Sequence, residues 1–491
     1  MLREFELCAQ SGSTTFNKTY AVVTLVREGL GQLPTRVIEV EDGYIFSCDA
    51  RGLSYPEGSK IALFKVDYDG NELWRWEDST FTTYMFKGNI FFDNNFIYLS
   101  YSKTKPVDGG NLGVLHLNKF NLNGELVWAR EYDNNQDVPL MNFIDETKIY
   151  SNHIYISYST AYFTGNPPPN NLYNEVALLK FDTSGNIIWS KKYDSGGNID
   201  YNYSLVVAAD STIYLSGITN GLGASGWRGH LIKTDMEGNM IWQKIYPEIG
   251  NGGLMTINYF DEDKFILTGS NYNPNQQLVR GKILKIDNSG SVNQSLTHVD
   301  NNPDGIQLYR TSQISSGDLV SVGISRINNS DCGLILKSDV DGNIKWIHRY
   351  DYGPNSDFFI NFIETTDNHL LVIGKAFTGF ETGADAWLLK LDSNGCLEPG
   401  CLEVGINEAE QEMGITIYPN PTQDRLFIKL ESSQKKPLNF SLYNLQGKLI
   451  IQEQLVAEYE SFDLSNLVSG VYLVNIVDGE GKKVSRKIIK N

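Results

Sequence analysis

Two short stretches begin like cation-binding loops. Asp67-Tyr68-Asp69-Gly70-Asn71 and Asp339-Val340-Asp341-Gly342-Asn343 alternate carboxylates on the way into a glycine. A calcium loop needs further oxygen ligands at fixed offsets and a bidentate Glu at its twelfth position, and neither stretch supplies them. The same residues suit a tight turn, in which Asp or Asn caps the backbone and glycine takes positive φ. The histidines (His116, His153, His230, His298, His348 and His369) are scattered, without H-x-H or H-E-x-x-H spacing for a metal. His116 and His230 occupy matching places in the chain and read as structural. There is no Gly-x-Ser-x-Gly elbow and no phosphate-cradling glycine loop. With 59 Asp and Glu, a carboxylate pair at any chosen spacing says nothing about glycoside chemistry. The residues therefore specify no catalytic group, no metal site and no cofactor.

Two further residue types have a fixed place. Trp74, Trp128, Trp189, Trp242 and Trp346 each stand four residues after a glycine, and a large aromatic at one recurring strand position packs between neighbouring units. The fifth equivalent is Gln294. Of the five cysteines, Cys396 and Cys401 lie close together in CLEPGC and suit a small-loop disulfide in an exported protein. Cys8, Cys48 and Cys332 show no evident partner.

The elements that carry these residues come from a repeat. The phrases ALFKVDYDGNELWRWED (62–78), LNKFNLNGELVWAREYD (117–133), LLKFDTSGNIIWSKKYD (178–194) and LIKTDMEGNMIWQKIYP (231–247) are variations on one theme. Three more follow: ILKIDNSGSVNQSLTHVD (283–300), ILKSDVDGNIKWIHRYD (335–351) and LLKLDSNGCLEPGC (388–401). Their turn glycines, Gly70, Gly124, Gly185, Gly238, Gly290, Gly342 and Gly395, recur every 52 to 61 residues or so. Each phrase reads as a β-hairpin, and two more strand-like runs precede each hairpin, as in SLVVAADSTIYLSGI (204–218). Seven repeats of four strands predict a seven-bladed β-propeller, which leaves only short, protected sheet edges. The seventh repeat lacks its fourth strand, so TYAVVTLVRE (19–28) is expected to complete the last blade and close the ring. The proline-rich insertion FTGNPPPNNLYNE (163–175) is expected to be a surface loop.

Composition narrows the classes. The net charge of −18 argues against binding nucleic acid or anionic lipid, because both need a basic surface. No apolar run approaches the roughly 20 residues of a membrane-spanning helix. From Gly414 onward about 10 basic residues face 8 acidic ones, leaving about −20 on the remainder. Body and tail thus read as separate units. Met1–Gln10 lacks the apolar core of a signal peptide, and residues 1–13 are assigned to a leader remnant. Residues 14–402 form the propeller, 403–413 an acidic linker and 414–491 a small β-sandwich of Ig-like type.

That tail carries Tyr418-Pro419-Asn420-Pro421, Leu442-Tyr443-Asn444 with Gly447-Lys448, Gly470-Val471-Tyr472, and a closing run from Lys487 to Lys490. In this order they closely resemble the type A C-terminal sorting domain of type IX secretion substrates in Bacteroidota. The resemblance implies recognition by the secretion machinery at the outer membrane and release from, or attachment to, the cell surface. The body resembles propellers of surface-exported chains, with delta-60-like or quinoprotein-like repeats. A complete repeat without a localised catalytic constellation favours a secreted, non-enzymatic binding or adhesion module with a glycan or protein ligand. The alternatives are a glycan lyase or hydrolase with an axial active site, and a structural surface component.

Overall fold

Each Asp-x-x-Gly phrase folds as the turn between the third and fourth strands of a β-sheet. The carboxylate of Asp67 accepts the backbone N–H of Asp69 and Asn71 at 3.0 and 2.7 Å, and Gly70 takes a φ of +76°. The same turn recurs at Asp182, Asp235, Asp287, Asp339 and Asp392, and with Asn at Asn121. The computed structural model describes residues 15–21, 32–50, 60–78, 85–93, 95–107, 110–132, 139–164, 171–196, 199–224, 226–250, 255–261, 264–273, 278–298, 305–327, 330–352, 357–379, 383–397, 415–430, 437–444, 448–479 and 483–491.

Blade one consists of the strands Gln32–Val40, Gly43–Ala50, Lys60–Val66 and Glu72–Glu77, paired in that order. The inner strands of blades two to six are Met85–Phe92, Pro139–Tyr150, Asp200–Val207, Thr256–Asp261 and Ile306–Gln313. Blades four and five touch edgewise through one parallel bridge, Gly250 to Asn271. Blade seven runs Phe358–Glu364, Leu370–Gly379 and Gly383–Leu391, with Phe16–Tyr20 as its outermost strand. Each inner strand packs against the next, and the seventh against the first, so the seven blades form a closed ring.

The closing strand begins upstream of the segment 19–28 expected to supply it and shares only Thr19 and Tyr20 with it. Phe16–Tyr20 pairs antiparallel with Gly383–Leu391, whereas 22–31 lie outside the described residues. The reason is positional. Phe16 and Tyr20 are four residues apart, like Trp189 and Tyr193, Trp242 and Tyr246, or Trp346 and Tyr350 in other outer strands. The proline-rich insertion also departs from expectation. Strands His153–Thr164 and Asn171–Asp182 pair along their full length, so most of the insertion lengthens a hairpin, and 165–170 lie outside the described residues.

Adjacent blades meet in a recurrent joint. A methyl group placed on Gly124, Gly185, Gly238, Gly290 or Gly395 would lie 2.7–2.9 Å from the ring of Trp74, Trp128, Trp189, Trp242 or Trp346, respectively. In every pair the tryptophan belongs to the preceding blade. Where Gln294 replaces tryptophan, Leu296 meets Gly342, and Phe16 meets Gly70 across the closure. The tyrosine four residues further on donates to the same turn: Tyr193 to the carbonyl of Gly238 and Tyr246 to that of Gly290 at 2.9 Å, Tyr20 to that of Gly70 at 2.6 Å, and Tyr350 to that of Gly395. A lysine stands five residues before each glycine, buried at Lys65, Lys233, Lys285, Lys337 and Lys390 and half-buried at Lys119 and Lys180, and in several blades it adds a third contact. Lys65 reaches the Leu122 carbonyl, Lys233 that of Asn288 and Lys337 that of Ser393, at 3.1–3.3 Å, all in the next blade. Lys65 and Lys233 also pair with Asp42 and Asp210 of their own blade at 2.7 and 3.1 Å, which offsets the cost of burying an ammonium group.

Trp189→Ala is expected to cost roughly 2–3 kcal/mol, read as a lowered urea midpoint. Gly238→Ala should cost a comparable amount through its positive φ and the tight contact with Trp189. Because the two changes act on one joint, the double variant should fall short of their sum; full additivity would dissociate the ring contact from stability.

Residues 415–490 form two facing sheets. Ile415–Tyr418, Arg425–Leu430 and Tyr459–Asp463 make one, and Leu438–Asn444, Leu449–Leu455, Gly470–Val477 and Lys483–Lys490 the other. Alternating apolar residues, among them Leu426, Ile428, Phe440, Leu442, Val474 and Ile476, fill the space between them. Against the ring, Asn420 N–H donates to the Asp351 carbonyl at 3.2 Å, and Ile489 joins the apolar cluster of Trp346, Tyr350 and Phe359.

Candidate functional site

The inner strands bring charged groups together at the centre of the ring. Arg36 lies on Gln32–Val40, Glu146 and Lys148 on Pro139–Tyr150, and Arg310 on Ile306–Gln313. Arg36, Glu146 and Arg310 each follow a register irregularity in their strand, where an extra residue re-aims the side chain. Blades one, three and six are not neighbours, so these groups meet across the axis. The Glu146 carboxylate takes an ion pair from the Arg36 guanidinium, one from Lys148 Nζ at 3.3 Å and one from Arg310 Nη1 at 3.6 Å. Asn258 Oδ1 accepts from Arg310 Nη2 at 3.2 Å and Asn89 Oδ1 from Arg36 Nη1 at 3.5 Å, which orients both guanidinium groups. Asp145, next to Glu146, is engaged elsewhere by the Ser159 hydroxyl at 2.9 Å.

The cations around the carboxylate titrate low, burial being the largest cause in each. Burial, then the field of Arg310, brings Arg36 down to about 9, and burial brings Arg310 down to about 10. Lys148 falls well below the usual ammonium range, first by burial and then through Arg36 and Arg310. Such a cluster can hold a negative group and fix its orientation. None of its members is a nucleophile of the Ser or Cys type.

The positions singled out by sequence lie elsewhere. The Asp67 and Asp339 carboxylates are turned back onto their own loops, including the Asn71 and Asn343 amides at 3.0 and 2.8 Å. Among the described residues no group of three or more His, Cys, Asp or Glu is placed to hold a metal ion. His116 stacks on Tyr101 at 5.0 Å, and His230 Nε2 meets Gln243 Oε1 at 3.0 Å; both stand on third strands, away from the axis. Trp74, Trp128, Trp189, Trp242 and Trp346 all sit at blade joints. A cavity of about 350 Å³ on the turn face is lined by Glu39, Val40, Glu41, Tyr68, Phe92, Leu122 and Thr366. Two of its polar groups are already paired: Glu39 accepts from Thr366 N–H and hydroxyl, and the Tyr68 hydroxyl lies within hydrogen-bond distance of the Val40 and Glu41 carbonyls.

Burial lowers the His116 imidazole to about 4, Lys103 adding to the effect and Asp78 opposing it. His230, His298 and His348 are lowered as well, each chiefly by burial. The unfolded chain therefore binds these protons more readily, since a free imidazole titrates near 6.5. Stability is present above about 6.5 and is lost as pH falls towards about 4. Equilibrium denaturation across this range should show the loss, and His116→Gln should remove roughly 3 kcal/mol of it; an unchanged acid limb would contradict the buried neutral state.

Cys48 and Cys332 are buried thiols, their pKa pushed up by burial. Cys396 is disulfide-bonded. Its expected partner Cys401 lies outside the described residues, as do Cys8 and Gly447. In the tail, two of the sequence signals come together on the last strand. The Asn420 amide donates to the Lys487 carbonyl and accepts from Ile489 N–H, both at 2.8 Å. Gly470, Val471 and Tyr472 pair with Lys490, Ile489 and Ile488. Tyr418 stacks on Phe427 at 5.6 Å. Pro419 and Pro421 flank Asn420, while Lys448 stands apart at the hairpin held by Asn444, whose Oδ1 accepts its N–H.

Residues 416–491 match the family described as the secretion system C-terminal sorting domain. A tail of this kind indicates secretion to the cell surface or beyond. No curated protein matches the chain by sequence. Among solved structures, PorZ, a surface component of the type-IX secretion system of Porphyromonas gingivalis, is similar at 10% identity over 93% of this chain and 70% of that one, with a TM-score of 0.34. A Trypanosoma rangeli sialidase mutant is similar at 8% identity over 87% and 89%, with a TM-score of 0.39. An α-L-arabinofuranosidase from Fusarium graminearum is similar at 11% identity over 79% and 100%, with a TM-score of 0.41. Overlaps this loose carry no functional inference.

Proposed function

We propose that this chain is an exported surface protein in which residues 14–402 act as a propeller-shaped binding module and residues 414–491 direct passage through a type IX secretion apparatus. Residues 1–13 are then a leader remnant, 403–413 the linker at which the tail is removed, and Cys396–Cys401 a disulfide at the end of the ring. The observation that carries this reading is the match of 416–491 to a sorting domain, joined to a ring that closes through Phe16–Tyr20 and, among the described residues, takes no strand from the tail. The ligand of the module is a glycan or a protein, met at the axis or the loops around it.

Binding is favoured over glycan cleavage by the axial cluster. Hydrolysis of a glycosidic bond uses two carboxylates in different protonation states. Here Glu146 is occupied by ion pairs with Arg36, Lys148 and Arg310, and Asp145 is engaged by Ser159. A stop codon in place of Gly414, introduced in the native host, tests the sorting role. The shortened chain is expected to disappear from the surface and medium and to accumulate inside the envelope; undiminished surface display would overturn it.

A further inference from the structure

The charges on the axis do not balance. Arg36 and Arg310 alone bring two positive charges to the single negative charge of Glu146, and Lys148, although its ammonium form is disfavoured there, adds a third donor. Leaving buried charge uncompensated is costly, and this excess sits inside a protein whose overall charge is −18. The exposure of the groups is uneven. The Glu146 side chain is 2% exposed, whereas Arg310, Arg36 and Lys148 are 12%, 17% and 28% exposed. The carboxylate is thus more deeply shut in than the three cations around it. Each guanidinium has five N–H donors in a rigid fork. Only Nη1 of Arg36 and the two terminal nitrogens of Arg310 have partners among the described residues.

We propose that the propeller axis is an anion site, in which Lys148, Arg36 and Arg310 together hold one oxyanion group, a carboxylate, sulfate or phosphate, of a small acidic ligand. Arginine forks match the planar or tetrahedral oxygens of such groups and bind them through charge-assisted hydrogen bonds. Asn89 and Asn258 are positioning residues that aim the two forks. The acidic exterior selects against extended polyanions and leaves a single acid group as the fitting occupant. The site deepens the binding-module reading and rests on it.

The test uses the full chain titrated with sodium acetate, sulfate or phosphate at constant ionic strength made up with sodium chloride, read by thermal unfolding and calorimetry. At least one anion is expected to bind saturably and raise the unfolding temperature, and the three arms separate carboxylate from sulfate and phosphate recognition. Lys148→Gln and Arg310→Gln should each weaken that binding about tenfold or more. Glu146→Gln should tighten it several-fold, because it removes the competing carboxylate. Circular dichroism verifies that each variant is folded, and Lys148, the most exposed of the three, is the variant least dependent on packing. Absence of saturable binding by the native chain, or equal shifts in native and Lys148→Gln protein, would overturn the anion site. Either result leaves the sorting experiment untouched, so the two readings fail separately.

Discussion

A chain lacking residues 1–21 is expected to lose at least about 5 kcal/mol of stability and to associate through its open seventh blade. The truncation removes the outer partner of strand Gly383–Leu391, which stays paired with Leu370–Gly379 on its other side, and leaves an unpaired edge of the type that seeks another chain. It also removes Phe16 and Tyr20 from the apolar cluster that joins blades seven and one, where they pack with Tyr44, Phe46 and Phe64. Tyr20 stands 5.0 Å from Phe46, and its hydroxyl binds the Gly70 carbonyl. On the other side, the indole N–H of fully buried Trp387 loses its acceptor, Asn17 Oδ1, at 2.6 Å. Phe16→Ala alone should cost about 3 kcal/mol, and Tyr20→Phe about 1–2 kcal/mol for the hydroxyl. Chemical denaturation with light scattering reads both effects. A truncated chain that stays monomeric with an unchanged midpoint would show that the ring does not depend on this strand.

Asn420→Ala should cost the tail about 2–3 kcal/mol, a large share of the stability available to so small a domain. The amide bridges the Lys487 carbonyl and Ile489 N–H, while Thr422 N–H binds the Ile489 carbonyl at 2.7 Å. Alanine leaves two backbone groups of the last strand without these partners. Limited proteolysis of the full chain is expected to release the tail region faster, and surface display in the native host should fall in parallel. Asn420→Asp keeps an acceptor for Ile489 and loses the donor, so it should be intermediate. Normal protease resistance in the alanine variant would show that Asn420 does not fasten the last strand.

Much of the architecture was legible because it is local. The Asp-x-x-Gly turn, the tryptophan four residues later and the missing seventh outer strand all lie within single hairpins, so their spacing survives in the chain. The lysine five residues before each turn glycine is equally periodic, yet in a sequence a single lysine suggests solvent. Only burial and the carbonyl of the next blade give it meaning. The closing strand is expected at 19–28 from its apolar run, although the aromatic pair Phe16 and Tyr20 repeats the spacing of the other outer strands. The axial cluster left no such trace. Arg36, Glu146 and Arg310 sit in the inner strands, which are the least alike from repeat to repeat, and they meet over separations of more than a hundred residues. Contacts across a ring depend on which blades stand opposite, and no periodicity records that.

The joints between blades all point one way round. Trp74 reaches forward to Gly124, Trp128 to Gly185 and so on, until Phe16 meets Gly70. Every repeat therefore carries a plug on its last strand and a socket at its own turn. A gene segment of one period, copied in tandem, would arrive with both halves of the connection and could join its neighbours without a newly evolved surface. Such a ring can grow by duplication, and what restrains its number is the curvature needed for the final plug to find the first socket. The terminal strand from the other end of the chain is where that count is enforced.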